Sequence, residues 1–317
     1  MPRSASSATC TGPIFAASTF TRLSPPISSG RGVLAADTAK DASNLRLRIL
    51  SAIVFVPGVL LLVEATEWTL YFLVLGVVVR CSWEFYQILE EAGYRPLRLP
   101  GCILSMGVCS YFWRLGKGEM LVGDLIPLLI AVTLLVMTWT LYQSGTERYT
   151  ANAFLTLGGV FFFGVLGGAP LLLVQIAGHG EEARHLVAAL FLCIWLADSG
   201  AYFSGRLWGK TKLAPTISPG KTRVGFVGGI VGSMSPLALG FLLPSFSPWA
   251  LAGLLLVAGV GGQLGDLVES AFKRDMDIKD APPLIPGHGG LLDRFDSYFF
   301  AFPLAYLYVD MLAIFEP

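Results

Sequence analysis

The charged residues of this chain concentrate in one stretch, residues 264–297. Seven carboxylates lie there beside five basic side chains, although most of the chain is apolar. The acidic residues are Asp266, Glu269, Asp275, Asp277, Asp280, Asp293 and Asp296, and the basic residues are Lys273, Arg274, Lys279, His288 and Arg294. Hard carboxylate oxygens without a set of Cys or His ligands favour Mg²⁺ over zinc. Carboxylates combined with Lys, Arg and His are typical of phosphoryl or nucleotidyl transfer, in which positioning and charge neutralisation carry the catalysis.

The spacing within this stretch indicates how the side chains are presented. An apolar segment ends at Asp266, and if its helix runs on, Asp266, Glu269 and Lys273 fall at positions i, i+3 and i+7 of one face. His288 lies among three glycines, a pattern that predicts a tight loop able to approach a ligand closely. Asp293 precedes the last apolar segment, where it could hold a cation. The pattern predicts a polar site at a membrane boundary.

A second candidate is Asp198, which lies inside an apolar segment. An ionisable group at membrane depth is costly unless it is paired or hydrated, so it indicates a functional site. The alternative is an Asp that pairs with a basic residue and locks two helices together. Gly200 and Gly205 follow it and permit close backbone approach by a helix or a ligand.

A third candidate is the loop at residues 213–223, which contains Ser218, Lys221 and Thr222. Its Gly-Lys-Thr sequence is not a P-loop, because Pro215 occupies the position of the first P-loop glycine. Hydroxyl, backbone N–H and ammonium groups suit phosphate oxygens, so we expect a basic loop that binds phosphate. The alternative is that these cations only set the topology or contact anionic headgroups.

Composition places these candidates in a membrane protein. Of the 317 residues, 54% are hydrophobic and 14% are charged, whereas a soluble domain carries about 25% charged residues. The mean hydropathy is +0.65. The net charge is zero, which argues against a nucleic-acid partner. Apolar segments predict an all-α, polytopic membrane protein with about nine transmembrane helices, at 48–64, 67–87, 100–115, 120–142, 152–177, 186–206, 225–246, 248–268 and 297–315.

The basic residues predict the orientation. With the N-terminus in the cytoplasm, fourteen Lys and Arg residues fall on the cytoplasmic side and three on the other. Both large polar loops, 207–224 and 269–296, then lie on the cytoplasmic side.

Residues 1–45 differ from the rest. They are rich in Ser, Thr, Ala and Pro, and their first acidic residue is Asp37. This composition predicts a disordered N-terminal extension. An acid-poor, Ser-rich segment with arginines also fits a transit peptide, while the alternatives are a bacterial extension or a start codon assigned too early. Residues 46–317 form the predicted membrane-embedded domain.

Several motifs together resemble one known family. The stretch Ser270-x-Phe-Lys-Arg-x4-Lys-Asp280, followed by Pro286-Gly-His-Gly-Gly-x-x-Asp-Arg-x-Asp296, is similar to the signature of the phosphatidate cytidylyltransferases (CDP-diacylglycerol synthases). Asp198-Ser-Gly-Ala-Tyr-x-x-Gly-Arg206 and Ile217-Ser-Pro-Gly-Lys-Thr222 resemble the two preceding motifs of that family, in the same order. Arg48-Ile-Leu and Trp83-Glu-Phe-Tyr86 resemble its N-terminal features. The resemblance covers residues 45–317.

The resemblance implies an activity and a set of residue roles. The family makes CDP-diacylglycerol and pyrophosphate from CTP and phosphatidic acid, with Mg²⁺ as the cofactor. A second, monovalent cation is an additional expectation. The implied metal ligands are Asp266 and Asp293, which we expect to share one centre. The implied catalytic residues, which handle the phosphates, are Lys273, Arg274, Lys279, Asp280, His288 and Arg294. The implied substrate-binding residues are Asp198, Arg206, Ser218, Lys221 and Thr222.

Further expectations concern location and partners. We expect a multi-pass protein of the cell inner membrane with a cytoplasmic active site, or of a plastid membrane if residues 1–45 are a transit peptide. The expected partners are CTP, phosphatidic acid, the lipid bilayer and a second copy of the chain. Two positions depart from the family pattern: Pro282 replaces a small residue, and Val224 replaces a Glu. The alternatives are another lipid transferase, such as a polyprenol or phytol kinase or an archaeal-lipid cytidylyltransferase, and an ion-coupled transporter.

Overall fold

A computed structural model gives the fold of the chain. It describes residues 54–178, 180–279, 281 and 290–315. The predictions made for residues 1–45, Asp280, Pro282 and His288 lie outside the described residues.

The described chain is almost entirely helical, which confirms the predicted all-α membrane fold. The α-helices are α1 (Val54–Ala65), α2 (Glu67–Glu91), α3 (Arg98–Gly116), α4 (Leu125–Ser144), α5 (Tyr149–Gly159), α6 (Ala169–Ile176), α7 (Gly180–Trp208), α8 (Arg223–Ser233), α9 (Pro248–Asp275), α10 (Leu292–Phe295) and α11 (Tyr298–Phe315). A π-helical segment, Val160–Leu166, lies between α5 and α6, and 3-10 segments are found at Val122–Asp124 and Ser235–Leu242.

Six of the helical segments are long and apolar enough to cross a membrane. They are Glu67–Glu91, Val122–Ser144, Tyr149–Ile176, Gly180–Trp208, Arg223–Leu242 and Pro248–Asp275. Each coincides with a predicted segment. The other three predicted segments fall on α1, α3 and α11, which are not among the six in the described part of the chain. The count of nine spans is therefore not confirmed.

The loop after α7 contains the one departure from an all-helical fold among the described residues. Strands β1 (Lys212–Ala214) and β2 (Ser218–Thr222) pair antiparallel, with Lys212 opposite Thr222 and Ala214 opposite Ser218. Thr222 also caps the next helix, because its hydroxyl oxygen accepts a hydrogen bond from the Gly225 N–H at 3.0 Å. The hairpin therefore runs directly into α8 and fixes Lys221 beside the start of that helix.

Helices α7 and α8 pack at backbone contact distance. A Cβ atom placed on Gly200 would lie 2.4 Å from the carbonyl oxygen of Gly228, and one on Gly228 would lie 1.9 Å from the Ser204 hydroxyl. Side chains larger than hydrogen do not fit at these positions. The predicted close approach at Gly200 is confirmed, and it is a helix that approaches. The contact brings the Asp198–Arg206 face of α7 to the hairpin.

Helix α9 carries the first half of the polar stretch. Ser247 caps its N-terminus and accepts a hydrogen bond from the Ala250 N–H, and Pro248 occupies the first turn. The helix continues to Asp275, so the expectation that it runs past Asp266 is confirmed. A Cβ on Gly265 would lie 2.8 Å from the Asp296 carbonyl oxygen. This close contact sets Asp266 beside the segment that leads into α11.

Candidate active site

One pocket collects the polar residues of three separate motifs. It has a volume of about 610 Å³ and is bounded by α7, the β1–β2 hairpin, the start of α8 and the middle of α9. All five residues predicted to bind substrate and one predicted metal ligand line it: Asp198, Arg206, Ser218, Lys221, Thr222 and Asp266. Motifs that are far apart in sequence therefore form one site, although the role of each residue stays a prediction.

An ion pair crosses this pocket. The Lys221 Nζ lies 2.7 Å from Oδ2 of Asp266, and the side chains are 24% and 33% exposed. The other oxygen of Asp266 accepts a weak hydrogen bond from the Ser270 hydroxyl at 3.4 Å. Asp198 is within electrostatic range of both Asp266 and Lys221. Lys221 therefore balances the charge of Asp266 in this pocket.

The rim of the pocket is cationic and aromatic. Arg206 donates a hydrogen bond from Nη1 to the Tyr202 hydroxyl at 2.8 Å, and both side chains are exposed. Lys212 and Phe226 also line the pocket. Guanidinium and ammonium groups bind phosphate oxygens through charge-assisted hydrogen bonds, so the rim suits a phosphorylated ligand.

A second polar cluster lies at the end of α9, around a buried lysine. Lys273 is 9% exposed, and its Nζ lies 2.6 Å from Oε2 of Glu269 and 2.6 Å from Oδ1 of Asp293. Oδ2 of Asp293 accepts hydrogen bonds from the N–H groups of Ala281 at 3.0 Å and Gly290 at 3.4 Å. Both oxygens of Asp293 are thus engaged within the protein.

Asp296 links the two clusters electrostatically. Loss of water contact, and then the negative charges of Asp266, Glu269 and Asp198, raise the pKa of Asp296 well above its usual range. Four acidic groups, Asp296 and these three, are therefore close enough to repel one another when they are ionised. A cation bound here would lower that repulsion.

Comparison with known proteins shows the family of this chain. Residues 46–312 match the model of the cytidylyltransferase family. The chain belongs to this family. It is similar to the phosphatidate cytidylyltransferase of Bacillus subtilis (strain 168), at 36% identity over 279 residues, which are 84% of this chain and 96% of that protein. The phosphatidate cytidylyltransferase of Staphylococcus saprophyticus is 37% identical over 211 residues, 66% of this chain and 78% of that protein.

Membership of the cytidylyltransferase family confirms the resemblance found in the motifs. A third relative, the phosphatidate cytidylyltransferase of Staphylococcus haemolyticus, is 31% identical over 258 residues, 81% of this chain and 94% of that protein. The chain is therefore an enzyme of this family, and its apolar helices make it a multi-pass membrane protein. The transporter alternative has no support from these matches.

The oxygen atoms of the pocket fit Mg²⁺, an ion that usually binds proteins through few side chains. No group of three or more His, Cys, Asp or Glu that could hold a metal ion occurs among the described residues. Mg²⁺ typically binds one or two carboxylates, several waters and substrate phosphates, so a cage of protein ligands is not required. Asp266 can supply such a carboxylate because it lines the pocket. Asp293 has other immediate partners, and its sharing of one metal centre with Asp266 stays a prediction.

Three further residues with predicted catalytic roles are described: Arg274, Lys279 and Arg294. Arg274 donates hydrogen bonds to the carbonyl oxygens of Ile217 at 3.4 Å and Ile278 at 3.0 Å, which joins the end of α9 to the hairpin. Lys279 and Arg294 are exposed. Arg274 therefore has a structural contact with the substrate loop as well as its predicted role in the family reaction.

Sequence reasoning assigned no role to two polar residues of the site region, although Glu84 lies within the Trp83–Tyr86 motif. Glu84 on α2 is fully buried and contacts the start of α10. Gln263 lines the pocket one helical turn before Asp266, and its buried side-chain Nε2 has no hydrogen-bond partner among the described residues. The signal for Glu84 was present, because it is an ionisable residue inside an apolar segment, the criterion that selected Asp198.

Proposed function

We propose that this chain transfers the cytidylyl group of CTP to phosphatidic acid, giving CDP-diacylglycerol and pyrophosphate. The pocket that joins Lys221, Arg206 and Asp266 carries the proposal, because it sets cations and a carboxylate together inside a membrane enzyme of the cytidylyltransferase family. The relatives named above as phosphatidate cytidylyltransferases support the same substrates.

The pocket suits a reaction between a soluble nucleotide and a lipid. Its polar lining offers Lys221, Arg206 and Lys212 to the phosphates of CTP. Just outside the pocket, Phe203 and Val227 expose apolar side chains on α7 and α8. In a membrane these faces contact lipid, so phosphatidic acid can reach the pocket laterally while its acyl chains stay in the bilayer.

The bond changes in this reaction are simple. A phosphate oxygen of phosphatidic acid bonds to the α-phosphorus of CTP, and the bond from that phosphorus to the oxygen bridging to the β-phosphorus breaks. Pyrophosphate leaves with the electron pair. The attacking phosphate is already anionic near neutral pH, so a strong general base is unnecessary. Lys221 and Arg206 would neutralise charge on the phosphates during the transfer.

The cofactor of the proposed reaction is Mg²⁺, with a second, monovalent cation as part of the same prediction. When bound, Mg²⁺ neutralises phosphate charge and aligns the pyrophosphate leaving group. Asp266 would hold it from the pocket wall, with Asp293 as the second predicted ligand. Lys221, which balances Asp266 in this structure, would then be free to contact a phosphate oxygen.

The active site belongs on the cytoplasmic side in this proposal. The bias of basic residues towards loops 207–224 and 269–296 supports it. The bacterial relatives favour the cell inner membrane over a plastid membrane. The homodimer stays a prediction.

The substrate assignment predicts a specific pattern of activity. The full chain in detergent or liposomes should release pyrophosphate from CTP only when phosphatidic acid is present, with ATP, GTP and UTP giving far less product. Polyprenol and phytol in place of phosphatidic acid test the kinase alternative, and an archaeal lipid acceptor tests the other cytidylyltransferases. Release of CDP with a phosphorylated alcohol would show a lipid kinase instead.

The metal assignment predicts that Asp266→Asn lowers turnover and raises the Mg²⁺ concentration required for half-maximal activity about tenfold or more. Asp275→Asn is the matched control, because Asp275 ends the same helix and is exposed. It should behave as the wild type. Wild-type turnover by Asp293→Ala would remove Asp293 from the metal site.

A further inference from the structure

We infer that Glu84 of α2 is a positioning residue for the α10 turn, which carries Asp293 and Arg294. The inference rests on the proposed function, because it links Glu84 to the reaction that this turn is predicted to serve. Glu84 lies about 200 residues before the turn in sequence, and it contacts the turn only through the fold.

The carboxylate of Glu84 holds two consecutive backbone groups. Its Oε1 accepts a hydrogen bond from the Leu291 N–H at 3.0 Å, and its Oε2 accepts one from the Leu292 N–H at 2.7 Å. These N–H groups begin α10, where no intrahelical acceptor is available to them. Both oxygens of one side chain from α2 therefore fix the start of the turn.

Arg80 forms an ion pair with Glu84 on α2. Its Nη2 lies 2.8 Å from Oε1 of Glu84, one helical turn away, and the Glu84 side chain is fully buried. Hydrogen bonds to an ionised carboxylate are roughly twice as strong as neutral ones. The charged pair is costly to bury, and the two backbone bonds offset that cost.

Glu84 and Asp293 hold the same turn from two directions. Asp293 accepts a hydrogen bond from the Gly290 N–H. Glu84 accepts hydrogen bonds from Leu291 and Leu292, which lie between Gly290 and Asp293. A Cβ atom on Gly290 would lie 2.7 Å from Oε2 of Glu84, so the close fit of this carboxylate requires a glycine there. The orientation of Asp293 towards Lys273 therefore depends on Glu84.

Loss of this anchor should reduce turnover rather than substrate binding. The pocket on α7, the hairpin and α9 does not include Glu84, so the KM for CTP should change less than about threefold. A small displacement of the groups that take part in a reaction can lower its rate about 100-fold. We expect Glu84→Gln to lower kcat about tenfold or more, because a carboxamide has one oxygen for two N–H donors. Glu84→Asp should recover part of the loss.

The matched control is Glu90→Gln. Glu90 lies on the same helix and forms an ion pair with Arg98 at 2.8 Å, but it has no contact with α10 among the described residues. The kcat of Glu90→Gln should equal that of the wild type. Combining Glu84→Gln with Asp293→Asn should reduce kcat no further than Asp293→Asn alone, because both changes disturb one turn. Multiplicative effects, or wild-type kcat in Glu84→Gln, would overturn the inference.

Amide hydrogen exchange separates this inference from the proposed function. In the full-length protein, Glu84→Gln should speed the exchange of the amides of Leu291 and Leu292, whereas Glu90→Gln should not. This result does not depend on any substrate. If the wild type fails to convert CTP and phosphatidic acid, the proposed function is wrong, and the exchange rates still test the contact. Unchanged exchange in Glu84→Gln would refute the anchor itself.

Discussion

Lys221→Met should lower kcat/KM for pyrophosphate release by about 100-fold or more, a loss comparable to the removal of one preorganised charge at a transition state. The reason lies in the position of Lys221, whose Nζ is 2.7 Å from Asp266 on the wall of the pocket. Once a nucleotide binds, this ammonium group is the cation best placed to meet its phosphates.

Lys221→Met should also disturb the charge balance of the pocket before a nucleotide binds. Asp266 would lose its partner while Asp198 and Asp296 remain within electrostatic range. The repulsion should weaken the binding of CTP at low Mg²⁺ and should be relieved in part at high Mg²⁺. The KM for CTP, measured at several Mg²⁺ concentrations, tests this effect directly.

Lys210→Met is the matched control for Lys221→Met. Lys210 is an exposed lysine at the entry to the same loop, and it does not line the pocket in the described structure. Its removal takes the same charge from the protein but leaves the Asp266 pair intact, so kcat/KM should stay within about twofold of the wild type. Equal losses in the two variants would mean that Lys221 acts only through the general field of the basic loop.

Much of the candidate site could be predicted from local sequence. Asp198 was predicted as a site residue because a carboxylate inside an apolar segment is costly unless it is paired or hydrated. In the structure it lines the pocket. Helical spacing placed Glu269 and Lys273 on one face, and they form an ion pair at 2.6 Å. Hydropathy located the six long membrane helices, because burial in lipid requires runs of apolar residues.

Other features depend on contacts that no local pattern encodes. The β1–β2 hairpin contains Pro219 and Gly220 and lacks the alternation of a strand, so its sequence indicated only a loop. The cap that Thr222 provides depends on where α8 begins. The bonds from Glu84 to α10 join residues that are remote in sequence. Asp293 was predicted as a metal ligand, and its hydrogen bonds from the Ala281 and Gly290 N–H groups depend on tertiary contacts that no local pattern gives.

Lys273→Met should have the largest effect on stability. Lys273 is the cation between Glu269 and Asp293, and the three side chains are 11%, 7% and 18% exposed. Removal of one partner from a buried charge network costs about 3–5 kcal/mol, because the remaining charges are left without compensation. The apparent melting temperature in detergent should fall by about 10 °C, and turnover should be lost.

Two further variants identify the cause of that loss. Lys117→Met removes a lysine at the C-terminal end of α3 whose pair with Glu67 is more exposed than the Lys273 cluster. Ion pairs near the surface contribute about 0–1 kcal/mol, so the melting temperature of this variant should barely change. Lys273→Met combined with Glu269→Gln removes one positive and one negative charge and leaves Asp293 with its two backbone donors. This double variant should regain most of the melting temperature but no activity, since the ammonium group is still missing. A double variant as unstable as Lys273→Met alone would show that packing of the lysine stem, rather than uncompensated charge, stabilises this end of α9.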